Sequence, residues 1–156
     1  METIGLTKKE TAISLKKLTA LLADETVLYI KTRNFHWNLK GDSFMELHKL
    51  FEEQYNQIEE TIDEVAERVL QLGGKAIGTM KEFIANANLK ESLENDLDQK
   101  KMINELHSNH CEMCKILRDY IEKVGETKDF VTADFFTSIL SQHEKNQWIL
   151  GKYLTK

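Results

Sequence analysis

Residues 43–74 read SFMELHKLFEEQYNQIEETIDEVAERVLQLGG, and this stretch decides the fold. Phe44, Leu47, Phe51, Ile58, Ile62, Val65 and Val69 recur three, four or seven residues apart, the spacing of one face of an α-helix. Ser43 with Glu46 forms a capping box at its start, and Gly73 supplies its stop. The rest of the chain repeats the plan. A first helix is expected over about Thr7–Asn38, opened by the capping box Thr7/Glu10. A short helix near Met80–Ala87 opens with Thr79/Glu82. A further long helix is expected over about Leu93–Val124, ending at Gly125, and a last one over about Val131–Tyr153. At ~1.5 Å rise per residue the long helices reach roughly 33–48 Å. Four long helices without a strand signal predict an all-α four-helix bundle. The long connection between helices two and three carries its own short helix, which predicts a crossover rather than a simple hairpin.

Composition agrees and excludes other classes. The chain has 156 residues, one domain's worth, and residues 1–156 are read as a single domain. Proline is absent and only seven glycines occur, too few for the turns of an all-β domain. Charged residues make up 30% and hydrophobic residues 41%, ordinary for a globular chain. No apolar run approaches a membrane span. The opening residues Met1–Lys9 lack the apolar centre of a secretory signal, and two cysteines make no disulfide scaffold, so a cytoplasmic protein is expected. A net charge of -5 argues against general affinity for nucleic acid or anionic lipid and favours cations as ligands.

The second helix also carries chemistry. With His48 at the origin and about 100° per residue, Glu52 lies near 40°, Glu59 near 20°, Asp63 near 60° and Glu67 near 100°. These groups flank the apolar stripe. Glu53, Gln57, Glu60, Glu64 and Arg68 fall on a third face that reads as solvent surface. A solvated acidic face has the same spacing. Imidazole with carboxylates and no thiolate also suits iron or another mid-row divalent metal, and His36 and Trp37 stand near enough in sequence to join. His48 and Asp63 are fifteen residues apart on one helix, about 22 Å along its axis, so they do not reach one ion within a single chain. Two antiparallel copies about a twofold axis would bring the His48/Glu52 end of one chain to the Asp63/Glu67 end of the other, giving two equivalent sites. A Glu-x-x-His pair, the usual ligand pattern inside a four-helix bundle, is absent from the sequence.

Residues 32–41 (TRNFHWNLKG), Leu47-His48, residues 63–68 (DEVAER), Gly73-Gly74 and Lys81-Glu82-Phe83 together resemble the Dps family, the mini-ferritins named for DNA-binding proteins of starved cells. The His–His–Asp–Glu spacing of 12, 15 and 4 is similar to that family's ferroxidase motif. The resemblance implies a ferritin-like bundle assembled as a hollow homododecamer. It implies oxidation of Fe²⁺, preferably by hydrogen peroxide, at intersubunit sites of two irons each, with ferric mineral stored inside. By the same resemblance His36, Asp63 and Glu67 come from one subunit, and His48 and Glu52 from its partner. Most relatives have Asp where this chain has Glu52. Trp37 corresponds to a tryptophan kept beside the site, where it quenches radicals; simple packing is the other reading. Asp129 and Asp134, at the start of the last helix, correspond to an iron-admitting pore on a threefold axis, with Phe130 where some relatives have another acid. Helix capping is the alternative role for Asp129.

Other motifs carry less. His107, Cys111 and Cys114 share a helical face, but a closed zinc site wants four ligands, and two small half-buried thiols are expected instead. His143 and Trp148 read as packing residues. Lys8, Lys9, Lys16 and Lys17 form a short basic patch on an ordered helix. The segment before that helix carries Glu2 and no lysine before Lys8, and Lys152 and Lys156 add little at the other end. DNA compaction, the alternative function within the family, is therefore doubtful, and no membrane partner is expected.

Overall fold

The computed structural model describes residues 4–94 and 96–155; Glu2 and Lys156, weighed above for charge at the termini, lie outside the described residues. Among the described residues five helices follow in order: α1 Lys8–Asn38, α2 Phe44–Gln71, α3 Met80–Asn86, α4 Gln99–Gly125 and α5 Phe130–Leu154. There is no strand among the described residues. The architecture is an all-α four-helix bundle with α3 as the extra short helix. Helices α1 and α2 pack as one hairpin and α4 and α5 as the other, α3 lies on α1, and α4 closes on α1. Among the described residues no helix is long and apolar enough to cross a membrane.

Local chemistry explains the boundaries. Both side chains of the Thr7/Glu10 box bond to each other's backbone N–H, and so do those of Thr79/Glu82. The Ser43/Glu46 box expected for α2 does not form, because Ser43 makes no side-chain cap bond. Gly73 does end α2, in the left-handed region at φ +77° that a residue with a Cβ enters only with strain. Gly125 is no such stop: it closes α4 in helical geometry, and Glu126 follows in the right-handed region. The start of α4 lies six residues later than the apolar pattern implied. Asp98 accepts the N–H of Lys101 and fixes it.

α1 is the helix around which the others are built. Its residues Leu21 to Leu28 are all buried, charged Asp24 and Glu25 included. A helix covered by α2, α3 and α4 has no solvent face along this stretch, so its apolar residues do not form a single stripe. The buried charges on α1 secure the crossover. Asp24 accepts from the backbone N–H groups of Asn88 and Leu89 at 2.6 and 2.8 Å and from the Asn88 side chain at 2.9 Å. Burial raises the pKa of its carboxyl, and those bonds hold the rise in check. Lys31 donates to the Lys90 carbonyl at 2.6 Å and the Asn109 side chain at 2.7 Å, and pairs with Glu105 at 2.9 Å. Thus the long connection is held by hydrogen bonds to two buried charged side chains of α1, Asp24 and Lys31.

Candidate metal centre

The turn between α1 and α2 sets the register of their hairpin, and the register sets the site. His36 and His48 lie six residues either side of Asp42, and Tyr29 and Tyr55 thirteen either side. Each pair meets in space. The imidazoles of His36 and His48 stack with centroids 3.7 Å apart and planes 16° apart. His36 Nδ1 lies 2.7 Å from the His48 carbonyl oxygen, and His48 Nδ1 lies 3.0 Å from the His36 carbonyl oxygen. A carbonyl only accepts, so both Nδ1 atoms carry the proton. The reciprocal bonds occupy Nδ1 and fix the orientation of each ring, which leaves Nε2 as the atom that would hold a metal. His36 is buried and His48 half-buried, with Phe44 stacked on the outer face of His48 at 4.9 Å.

This pairing corrects the division of ligands expected above. His36 belongs with His48, on the same chain and at the same end of the hairpin. It does not stand with Asp63 and Glu67, which lie well along α2. Glu52 is one turn beyond His48 and is exposed, as are Asp63 and Glu67. Among the described residues no group of three or more His, Cys, Asp or Glu side chains converges within one chain. Glu67 lines a shallow surface groove with Glu64, Arg68, Gln71, Val131 and Phe135.

Around His36 the structure assembles groups that sequence reasoning missed. Tyr55 meets His36 edge-on at 5.2 Å, and Tyr29 meets Tyr55 edge-on at 6.2 Å. The Arg33 guanidinium sits over the rings of Tyr55, Trp37 and Tyr29 at 4.5, 5.2 and 5.5 Å. Trp37 is 61% exposed, with its indole reached through Arg33; no ring pair joins it to either histidine among the described residues. The equal spacing of Tyr29 and Tyr55 about Asp42 is the sequence signal for them, and the sequence reading did not use it.

Asp129 is not where a pore-lining group must be. It is 2% exposed and accepts from Ser14 Oγ at 2.6 Å, Thr132 Oγ1 at 2.6 Å, Thr132 N at 3.1 Å and Arg68 Nη2 at 2.8 Å. Burial alone would raise the pKa of this carboxyl; the hydroxyl and backbone bonds with the Arg68 charge outweigh it and hold it below the ordinary value. Asp129 is the cap of α5 and an internal ion pair. Arg68, read above as solvent surface, is half-buried because it makes that pair, and Gln57 accepts from Asn146. Asp134 is exposed, beside the exposed apolar residues Phe130 and Val131.

His143 does more than pack. It is buried between Glu25 and His110, with Nε2 2.7 Å from Glu25 Oε1 and Nδ1 2.9 Å from His110 Nδ1. Burial drives the His110 pKa well below the usual imidazole value, with neighbouring His143 and His107 adding to the effect. Trp148, expected to pack, is exposed. Cys114 is buried and Cys111 half-buried, and burial raises the Cys114 pKa.

Comparison with known proteins agrees with this architecture. Residues 15–156 match the family described as Ferritin-like domain. A protein named DNA protection during starvation protein from Porphyromonas gingivalis is 39% identical over 100% of this chain and 98% of its own length. The Dps protein from Vibrio cholerae, described as a member of a broad superfamily of ferritin-like diiron-carboxylate proteins, superposes with a TM-score of 0.93 at 32% identity, covering 99% of this chain and 97% of that one. A Dps protein from Bacillus brevis superposes with a TM-score of 0.92 at 31% identity, covering 96% of this chain and 100% of that one. The chain belongs to the Dps mini-ferritins of the ferritin-like family.

Proposed function

We propose that this chain, as one ferritin-like domain over residues 1–156, is an iron-storing ferroxidase whose sites form between subunits of a closed dodecamer. The observation that carries the reading is the reciprocal clamp of His36 and His48. It holds two imidazoles by their Nδ1 atoms with both Nε2 atoms left out of the clamp, at one end of α2, while the carboxylates Asp63 and Glu67 stand further along the same helix. Two imidazoles and oxygen donors suit Fe²⁺. Antiparallel pairing of α2 with a partner's α2 would complete each site: His36, His48 and Glu52 from one chain, Asp63 and Glu67 from the other. A twofold interface of this kind makes two such sites.

In this reading Fe²⁺ is the substrate. The two irons of a site give up one electron each, and one hydrogen peroxide accepts both. Its O–O bond breaks, two hydroxides form, and no hydroxyl radical is released. The clamped rings hold two cations close together, which is what a two-electron acceptor requires. Asp134, exposed at the start of α5, would concentrate Fe²⁺ around a threefold axis. Several relatives are named for DNA protection. For this chain we propose protection by removing iron and peroxide, because 21 basic residues face 26 acidic ones.

An anaerobic Fe²⁺ titration followed by peroxide, on protein whose mass in solution is measured first, tests the reading. Expected are a particle near twelve chains, two Fe²⁺ bound per chain and one peroxide consumed per two Fe²⁺. A monomer, or Fe²⁺ oxidised no faster than in buffer, would overturn it.

A further inference from the structure

We propose that His107 Nδ1 and Cys111 Sγ, one turn apart on α4, bind a single soft monovalent cation of the Cu⁺ class, at a second metal site separate from the His36/His48 centre. The two atoms face each other at 4.0 Å, and both side chains are half-buried, so an ion reaches the pair from solvent. The ferroxidase reading uses neither residue.

The imidazole is held from α5. Gln147 Nε2 lies 2.8 Å from His107 Nε2, and Gly151 leaves room beside the ring: a Cβ there would stand 3.4 Å from the same nitrogen. The Gln147 amide serves either tautomer. Its nitrogen donates to a bare Nε2, and its oxygen, turned to the same place, accepts from a protonated one. The second arrangement bares Nδ1 toward sulfur and supplies the outer hydrogen-bond partner that a metal-binding histidine ordinarily has.

The separation of the two donors selects the ion. With metal–sulfur and metal–nitrogen bonds of about 2.3 and 2.0 Å, a tetrahedral ion wants its donors ~3.5 Å apart and a linear one ~4.3 Å. The observed 4.0 Å corresponds to an open angle of about 137°. Among the described residues no group of three or more His, Cys, Asp or Glu side chains converges, so Cys114, buried three residues on, stays outside the pair. Two donors set wide apart do not make a zinc site, which closes on four ligands. Thiolate selects Cu⁺, imidazole accepts copper as well, and Cu⁺ forms two-coordinate complexes with its donors opposite each other. On binding, one Cu–S and one Cu–N bond form, the S–H bond breaks, and the ring keeps its proton on Nε2. One proton leaves to solvent per ion, and the thiolate cancels the charge of the cation. No electron is transferred, so copper stays monovalent.

Anaerobic titration of intact, fully reduced protein with Cu⁺, supplied as its acetonitrile complex in competition with bicinchoninate, tests this. The first Cu⁺ per chain should be drawn from the coloured bicinchoninate complex with release of one proton. X-ray absorption of that sample should show one sulfur and one nitrogen neighbour. Cys111→Ser and His107→Leu should each lose this ion, and Cys114→Ser should keep it. Gln147→Leu should weaken binding about 10–100-fold, and Gln147→Glu, whose carboxylate accepts the Nε2 proton, should restore it. Excess Zn²⁺ should not displace the bound Cu⁺. Cu⁺ held as tightly by Cys111→Ser as by wild type, lost in Cys114→Ser or displaced by Zn²⁺ would overturn the proposal. So would a wild-type chain that takes up no Cu⁺, or one whose first Cu⁺ has two sulfur neighbours or none, and these wild-type results need no variant to fold.

Discussion

Replacing Asp129 by alanine should destabilise the protein because the carboxylate is an internal partner rather than a pore group. Four donors lose their acceptor: Arg68 Nη2, Ser14 Oγ, and the Thr132 hydroxyl and backbone N–H. Loss of a helix N-cap alone costs ~1 kcal/mol. Removing one member of a buried ion pair costs about 3–5 kcal/mol, because the other charge stays behind in low dielectric. These overlap, so the expected loss is about 3–5 kcal/mol per chain, with Asp129→Asn losing less because it keeps cap and shape. Arg68→Met combined with Asp129→Ala should recover part of the loss, since no charge is then left unpaired. Urea unfolding at fixed protein concentration measures this, because the proposed assembly would make stability concentration-dependent. The carboxyl is held below its ordinary value in the fold. Its contribution is therefore full above the unfolded value near ~3.9 and disappears as pH falls through the folded one. The gap between wild type and variant should close at strongly acid pH. A loss below about 1 kcal/mol at neutral pH, the range of an unremarkable surface change, would refute the argument.

His110 is kept neutral by burial, so its folded pKa lies below that of the unfolded chain. The unfolded state then gains the proton first, and stability should fall as pH drops below about 6.5, by up to ~1.4 kcal/mol per pH unit per chain. His110→Leu should flatten that slope in urea titrations between neutral and mildly acid pH. Asp134→Asn should slow iron loading at low salt without changing the final amount of Fe²⁺ bound; loading rates equal to wild type would mean that iron passes elsewhere. Plasmid DNA should give no salt-resistant retarded complex on gels at neutral pH without divalent ions.

The helices were legible because their ends are written in local chemistry. Thr7/Glu10 and Thr79/Glu82 cap as read, and Gly73 turns where expected. The start of α4 was misread because Leu93 and Leu97 extend its apolar pattern upstream. Leu97 is buried by packing of the connection rather than by a helix, and Leu93 is exposed. The proposed ligands were legible as residue types at helical spacing, but the pairing of the two histidines was not. His36 and His48 are joined by the register of a hairpin, a property of the turn at Asp42 and not of either helix. The buried Glu25–His143–His110 series escaped for a related reason. Each residue sits on a different helix, and only packing of α1 against α4 and α5 brings them together. Asp129 was placed by resemblance; its true role depends on Ser14 and Arg68, far away in sequence.

Mixed assembly tests the shared site most directly. One variant carries His36→Gly with His48→Gly, the other Asp63→Asn with Glu67→Gln, and each alone should form the full shell yet oxidise Fe²⁺ slowly with peroxide. Co-assembled in equal amounts, random twofold pairing leaves one intact site of every four, so the initial rate should return to about a quarter of wild type. Shells shown by mass to contain both variants, yet no faster than either parent, would contradict a ferroxidase site built from two chains.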